Sequence, residues 1–286
     1  MRNLASPAVK KDGPPEFFKM AGGGNDFVVI DHRAGGIDRP EELAKKVCRR
    51  RLSVGADGII LIESSTRATF RMRYFNADGT LADFCANGTR CAARFAFLNV
   101  IAPKKMTIET GYSIVPAEIR EQHVTLTLQP PLDFTPSRPL RTRDGVEIQG
   151  SFIMVGVPHY VIDLEGDLWT QNIDALGREL RHHPDLAPQG ANVNFVVVLD
   201  RANVEVRTWE RGVEAETLSC GSGVVASTSV SALFGRVDSP VTVKTLSGIS
   251  FVVDLAMRER EIDEVRLTGD ARVIYKSRLT PETVVW

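Results

Sequence analysis

Two stretches of this chain share one layout, and that sharing constrains the fold more than any other feature of the sequence. The first reads MRYFNADGTLADFCANGTRCAARFAF and the second VRTWERGVEAETLSCGSGVVASTSVSA. Each runs from a strand-like segment to a polar residue at its end, Asn76 or Glu210. A short polar loop and a cysteine follow, Cys85 or Cys220, and then small residues lead into a helical pattern. A chain that uses such a unit twice is expected to fold as two similar halves.

Strand-like runs dominate the rest. Phe27–Ile30, Ile59–Ile62, Phe70–Tyr74, Phe195–Leu199 and Val241–Thr245 are typical, rich in β-branched residues and bounded by turn formers. Helical patterns are fewer: Pro40–Arg51, Cys85–Leu98, Ile173–Arg181 and Ser222–Phe234. In the second of these, Cys91, Phe95 and Leu98 are expected to share one buried face. Many strands and few helices predict an α+β fold rather than a doubly wound sheet. The proline-rich stretch Pro130–Pro139 is expected to join the halves, residues 16–130 and 131–274. Residues 1–15, rich in Pro, Lys and Gly, read as a flexible tail.

Charge and apolar patterning exclude several partners. Lys and Arg number 35 against 36 Asp and Glu, a net charge of −1, which argues against a nucleic-acid binder. No apolar run approaches the roughly 18 residues that span a bilayer. The first residues lack the apolar core of a secretory signal, and the 4 cysteines are too few for a disulfide scaffold in a chain of 286 residues. The expectation is a soluble cytoplasmic protein with reduced thiols, a small-molecule substrate and no nucleic-acid or membrane partner.

Those thiols carry the chemistry. A cysteine at a helix N-terminus meets exposed N–H groups and the positive end of the dipole, which favour a thiolate. The same N–H groups bind a carboxylate. Cys85 and Cys220 both fit this description, whereas Cys48 and Cys91 lie inside helical patterns and read as core. Cys85 and Cys91 are spaced more widely than zinc ligands, no histidine cluster joins them, and no metal is expected. The doublet His182–His183 reads as an exposed helix end. Gly22-Gly23-Gly24-Asn25 lacks the Lys-Ser/Thr of a phosphate loop and reads as a turn presenting Asn25.

At this point the chain resembles the diaminopimelate epimerase family, which epimerises amino acids without a cofactor. The resemblance rests on GGGNDFVVID, RRLSVGADGIILIE, RYFNADGTLADFCANGTRCAARF, ETGYSIVPAEI, GVPHYVI, GANVNFVVV and WERGVEAETLSCGSG. It implies two α/β halves, each a curved sheet around a central helix, with the active site between them and about residues 275–286 returning to the first half. It implies that Cys85 and Cys220 are the acid/base pair, supported by His159 and Glu210. Asn25, Asn76 and Asn192 would contact the amino and carboxylate groups. Ala86, Asn87, Gly221 and Ser222 would bind the α-carboxylate, and Glu210 and Arg211 would also touch substrate. The implied reaction interconverts LL- and meso-diaminopimelate for lysine and peptidoglycan precursors, in a homodimer.

Three positions depart from the family's pattern. Ala86 stands where glycine is usual, Val157 where many members have asparagine, and Gly58 where some have glutamine. These departures keep a racemase of another amino acid in view as an alternative. A non-catalytic binding protein of the same fold would not need both cysteines. A thiol-redox protein would usually carry C-x-x-C, which this sequence lacks.

Overall fold

The structure, a computed structural model, describes residues 15–284. The expected flexible tail therefore lies outside the described residues, Pro15 apart. The chain divides into two compact units, one running to Val124 and resuming at Ala271, the other Thr125–Asp270.

In the first unit, β1 (Glu16–Gly22) and β2 (Asn25–Asp31) form an antiparallel hairpin. Gly23 and Gly24 close it with φ of 61° and 94°, the two positive values that a type I′ turn demands. The chain passes through α1 (Pro40–Val47) to β3 (Gly58–Glu63), parallel to β2. Next come β4 (Phe70–Asn76), antiparallel to β3, and the short β5 (Leu81–Ala82) beside it. Then α2 (Ala86–Leu98) leads to β6 (Lys105–Glu109), parallel to β4, and β7 (Ile114–Arg120) runs back along β6. β8 (His123–Leu128) carries the chain into the second unit.

There the stretch Pro130–Pro139 is partly ordered as β9 (Leu132–Thr135), and β10 (Leu140–Arg141) pairs with β11 (Glu147–Ile148). The plan of the first unit then repeats. β12 (Ser151–Val155) and β13 (Val157–Asp163) form a hairpin, and α3 (Asp174–Arg181) leads to β14 (Asn192–Asp200), parallel to β13. β15 (Asn203–Glu210) is antiparallel to β14, with β16 (Ala215–Thr217) beside it. After α4 (Gly221–Leu233), β17 (Val241–Thr245) lies parallel to β15. β18 (Ser250–Arg258) and β19 (Glu261–Asp270) complete the unit. β20 (Arg272–Arg278) belongs to the first unit and pairs with β1, as β9 pairs with β12. The architecture is α+β, in two pseudo-symmetric halves.

In each unit the main strands have a helix on both faces. In the first unit α2 touches β1, β2, β3, β4, β6 and β7, while α1 covers the other face through Ala44, Val47 and Cys48. Consecutive residues of β3 therefore face different helices: Ile59 and Leu61 join the α1 cluster, and Ile60 lies against α2 at Gly88. A strand buried on both faces reads as a continuous apolar run, which is what GIILIE shows. In the second unit α4 touches the strands from β12 to β15 and from β17 to β19. On the opposite face, Ile173 and Leu180 at α3 pack with Phe195 and Trp209.

The two central helices differ from the outer pair in composition because they are enclosed. Almost every residue of α4 is buried, including Ser227, Thr228, Ser229 and Ser231, and only small side chains allow strands to approach from so many directions. In α2 the expected single buried face is corrected. Residues 86–93 are buried all round, Phe95 and Ala96 with them, whereas Leu98 is 45% exposed because the last turn emerges from the sheet. The first outer helix also stops earlier than its pattern suggested, at Val47, and Arg51 takes a positive φ of 71° in the turn that follows.

Candidate active site

Each unit begins its central helix with a cysteine at the N-cap. Cys85 has extended backbone angles (φ −148°, ψ 110°), and its Sγ accepts from the Gly88 N–H at 3.4 Å. Cys220 is set the same way before α4 (φ −119°, ψ 112°), with its Sγ 3.4 Å from Ser222 Oγ. An N-cap is where a helix leaves its first N–H groups without intrahelical acceptors, so both thiols sit beside donors suited to an anion. Ala86 and Asn87, like Gly221 and Ser222, are the first two residues of their helices and supply those N–H groups.

Both helices carry glycine three residues after the cysteine. A Cβ on Gly88 would meet Ile60 Cδ1 and Met72 Cε at 3.2 Å, the mobile ends of apolar side chains. A Cβ on Gly223 would overlap Asn194 Oδ1, approach Thr208 Oγ1 to 2.9 Å and Cys220 Cβ to 3.2 Å. Glycine here lets the cysteine-bearing turn lie directly on the strands below it.

In the first unit the turn after β1 delivers Asn25 to a chain of polar contacts ending at α2. Asn25 Nδ2 donates to Asp57 Oδ2 at 2.9 Å, and its Oδ1 accepts from Asn87 Nδ2 at 2.8 Å. Asn87 Oδ1 in turn accepts from Arg90 Nη2 at 2.6 Å, one turn deeper in the helix. Asp57 and Asp26 each accept from the other's backbone N–H, and Arg50 bridges both carboxylates at 2.5 Å and 2.8 Å. Burial works to raise the Asp26 carboxyl, but hydrogen bonds from Arg50 and Lys19 outweigh it and hold that group below the usual range. Asn76, at the end of β4, is held separately by Thr80, whose Oγ1 accepts from its amide at 3.0 Å.

In the second unit His159 is fully buried on β13. Asn194 Nδ2 stands 3.0 Å from its Nδ1, and Asn192 Nδ2 stands 3.4 Å from its Nε2. Burial, aided by the nearby Arg211 charge, pushes this imidazole down to about 3, so it is neutral at physiological pH. Asn192 Oδ1 accepts from the Arg211 N–H at 2.7 Å, which ties β14 to the end of β15. Glu210 accepts from Thr217 Oγ1 at 2.9 Å; burial raises its carboxyl, and the Thr217 hydroxyl partly opposes that. Arg211 reaches Gln189 Oε1 through Nη1 at 3.3 Å.

The three departures have visible settings. Val157 leaves the β12–β13 turn at the position matching Asn25 after the β1–β2 turn. Gly58 can carry no side chain at all, because a Cβ there would overlap the Tyr74 ring and the Phe75 carbonyl. Ala86 is buried, with its methyl already accommodated in the first turn of α2.

The other cysteines sit in the core. Cys91 is fully buried and Cys48 nearly so, and burial pushes the Cys48 thiol up to about 12. His182 caps α3 and pairs with Glu214 at 3.0 Å, and His183 contacts the Arg141 carbonyl. Among the described residues no group of three or more His, Cys, Asp or Glu is placed to hold a metal, and no helix is long and apolar enough to cross a membrane. Asp57, Arg50, Arg90, Asn194 and Thr208 were not singled out by the sequence. The one signal available was Asn192-Val193-Asn194, two amides on the same face of a strand.

Comparison with known proteins identifies the family and the fold. The diaminopimelate epimerase family model matches residues 17–129 and 151–274. A curated diaminopimelate epimerase of Aquifex aeolicus is 40% identical over 282 residues, covering 94% of this chain and 99% of that protein. Another, from Chlorobaculum tepidum, is 40% identical and covers 91% and 100%. Among solved structures, a hydroxyproline epimerase from Agrobacterium vitis shares the fold with a TM-score of 0.71 at 17% identity, covering 94% of this chain and 93% of its own. A Bacillus anthracis phenazine biosynthesis protein of the PhzF family does so at 0.70 and 15%, covering 94% and 99%. With a family match over both halves and relatives of this identity along nearly its full length, the chain belongs to the diaminopimelate epimerase family.

Proposed function

We propose that this protein interconverts LL- and meso-diaminopimelate by two-thiol acid/base catalysis, in the supply of lysine and peptidoglycan precursors. The observation that carries the reading is the cysteine at the N-cap of the central helix in each half. An amino acid's α-hydrogen is a very weak acid, and inverting its centre needs a base on one face and an acid on the other. One thiolate takes the α-hydrogen, and the C–H electron pair moves into the carboxylate as a carbanion-like state forms. The opposite thiol then gives its proton to the other face and becomes the thiolate, which sets the pair for the opposite isomer until proton exchange with solvent restores the starting state.

The α-carboxylate gathers charge in this transition state. N–H groups of Ala86 and Asn87, and of Gly221 and Ser222, are oriented before the reaction and would stabilise that charge at little reorganisation cost. Asn25, Asn76, Asn192, Glu210 and Arg211 are the proposed contacts to the remaining polar groups, with His159 and Glu210 supporting the thiols. The chemistry calls for no cofactor. We place it in the cytoplasm and in a homodimer, which sedimentation of the full chain checks.

The decisive assay offers the purified protein LL-diaminopimelate, meso-diaminopimelate, proline and histidine, with and without chelator. Interconversion of the diaminopimelate isomers that survives the chelator is expected. Turnover of a monocarboxylic amino acid with none of diaminopimelate would overturn the substrate and direct attention to Val157.

A further inference from the structure

The internal duplication supplies its own control for what the fold requires beneath each central helix. Strand register matches the two units residue by residue. In the first, Phe27 lies beside Gly58 across β2–β3, and Ile60 opposes Tyr74 across β3–β4. In the second, His159 lies beside Asn192, and Asn194 opposes Thr208. So His159, Asn194 and Thr208 occupy the places of Phe27, Ile60 and Tyr74. The first trio packs through hydrocarbon and rings: Phe27 meets Tyr74 edge to face at 5.6 Å, and Phe27 and Ile60 lie under Gly88. The second trio is wholly polar, and two of its members, Asn194 and Thr208, lie under Gly223.

Burying a wholly polar trio where two hydrocarbon side chains and a tyrosine ring serve is costly unless every group is satisfied, and its presence calls for a reason other than packing. The hydrogen bonds supply one. Thr208 Oγ1 donates to Asn194 Oδ1 at 3.0 Å. Asn194 Nδ2 is 3.4 Å from the backbone carbonyls of both Tyr160 and Asn192, so turning the amide over would set its oxygen against two others. The amide orientation is thereby fixed, and its N–H points at His159 Nδ1 at 3.0 Å. A nitrogen that accepts a hydrogen bond cannot hold the proton of a neutral imidazole, so that proton belongs on Nε2.

We propose that Asn194 and Thr208 are positioning residues that hold His159 as its Nε2–H tautomer, making the imidazole a neutral hydrogen-bond donor in the reaction rather than a proton acceptor. Asn192 does not compete for this role. Its oxygen is committed to the Arg211 N–H, so it turns a nitrogen toward Nε2, at the longer distance of 3.4 Å. The Nε2 proton thus faces a donor and keeps its hydrogen-bonding capacity for charge that develops during turnover. Gly223 links this relay to the thiol, since the turn that starts at Cys220 rests on Asn194 and Thr208. The catalytic part of the proposal rests on the function given above; the tautomer does not.

Long-range proton–nitrogen spectra of the histidine-labelled full chain at pH 7 read the tautomer directly. His159 of the wild type is expected to carry its proton on Nε2 with Nδ1 bare. Asn194→Asp keeps the side-chain shape but presents an acceptor, which should bring a proton onto Nδ1. With it, kcat for the diaminopimelate isomers should fall by about 10²- to 10⁴-fold while KM stays within a few-fold. Asn194→Ile copies the residue at the matching place in the first unit. It should fold, lose kcat to a similar extent and leave the tautomer unfixed. Thr208→Val should show a smaller loss with a mixed tautomer. A wild-type His159 protonated on Nδ1 would overturn the proposal even if no variant folds. So would an Asp variant whose proton moves while kcat does not. Were the wild type inactive on every diaminopimelate isomer, the functional assignment would fall, and the tautomer measurements would still decide the positioning role.

Discussion

Replacing Gly223 with alanine, and Gly88 in parallel, separates the two helix starts by what lies beneath them. Alanine is favoured over glycine in a helix by about 1 kcal/mol, a gain open to both variants. At Gly88 the added methyl crowds Ile60 Cδ1 and Met72 Cε at 3.2 Å, flexible ends that give way by a few tenths of an ångström, and meets Phe27 Cζ at an ordinary 3.5 Å. That strain roughly cancels the gain, and Gly88→Ala is expected within about 1 kcal/mol of the wild type. At Gly223 the methyl overlaps Asn194 Oδ1 and crowds Thr208 Oγ1, atoms that hydrogen-bond to each other in a buried layer. Overpacking costs about 1–3 kcal/mol, and a separated buried pair about 1–3 kcal/mol more. After the helix gain, Gly223→Ala should lose about 1–5 kcal/mol. Urea unfolding followed by fluorescence and circular dichroism gives both values under one set of conditions. Equal stability of the two variants, or a greater loss at Gly88, would refute the reasoning.

Acid should act on the fold through His159. Its folded value of about 3 lies below the usual 6.5, so the stability it contributes is full above pH 6.5 and is lost as pH falls from there toward 3. The slope approaches about 1.4 kcal/mol per pH unit, and His159→Gln should lack it; parallel pH dependences of urea unfolding would contradict this. Thr217→Val removes the hydroxyl that favours the Glu210 carboxylate, whose carboxyl burial already raises. If the carboxylate is the working form, the acid limb of the kcat/KM profile should move to higher pH, and an unmoved limb would argue that Glu210 is not titrating there.

Much of the fold was legible because it depends on short-range pattern. All four helical segments form, and Cys85 and Cys220 stand at helix starts because small residues after each cysteine open a helix there. Asn25 follows a turn, as consecutive glycines demand. What stayed hidden depends on register and on contacts distant in sequence. Asn194 and Thr208 look like ordinary strand residues until β14 pairs with β15 and α4 settles on them. Asp57 is marked only by its meeting with Asn25 and Arg50. Leu98 misled because amphipathic spacing assumes one buried face, whereas α2 is enclosed on all sides until its last turn. Gly58 departs from the family's pattern for a reason visible only in space, since the Tyr74 ring fills the room a side chain would need.

The central claim is that one thiol serves each face of the α-carbon. Its most direct test is α-hydrogen exchange in heavy water with Cys85→Ala and Cys220→Ala, each given LL- and meso-diaminopimelate in turn. Both variants should lose epimerisation by several orders of magnitude, since removing one member of a cooperating pair costs nearly as much as removing both. Each should still exchange deuterium without inversion into the isomer whose C–H bond points at its remaining thiol, and the two variants should prefer opposite configurations. The double variant should do neither. Near-normal epimerisation by either single variant, or the same exchange preference in both, would contradict the two-thiol mechanism.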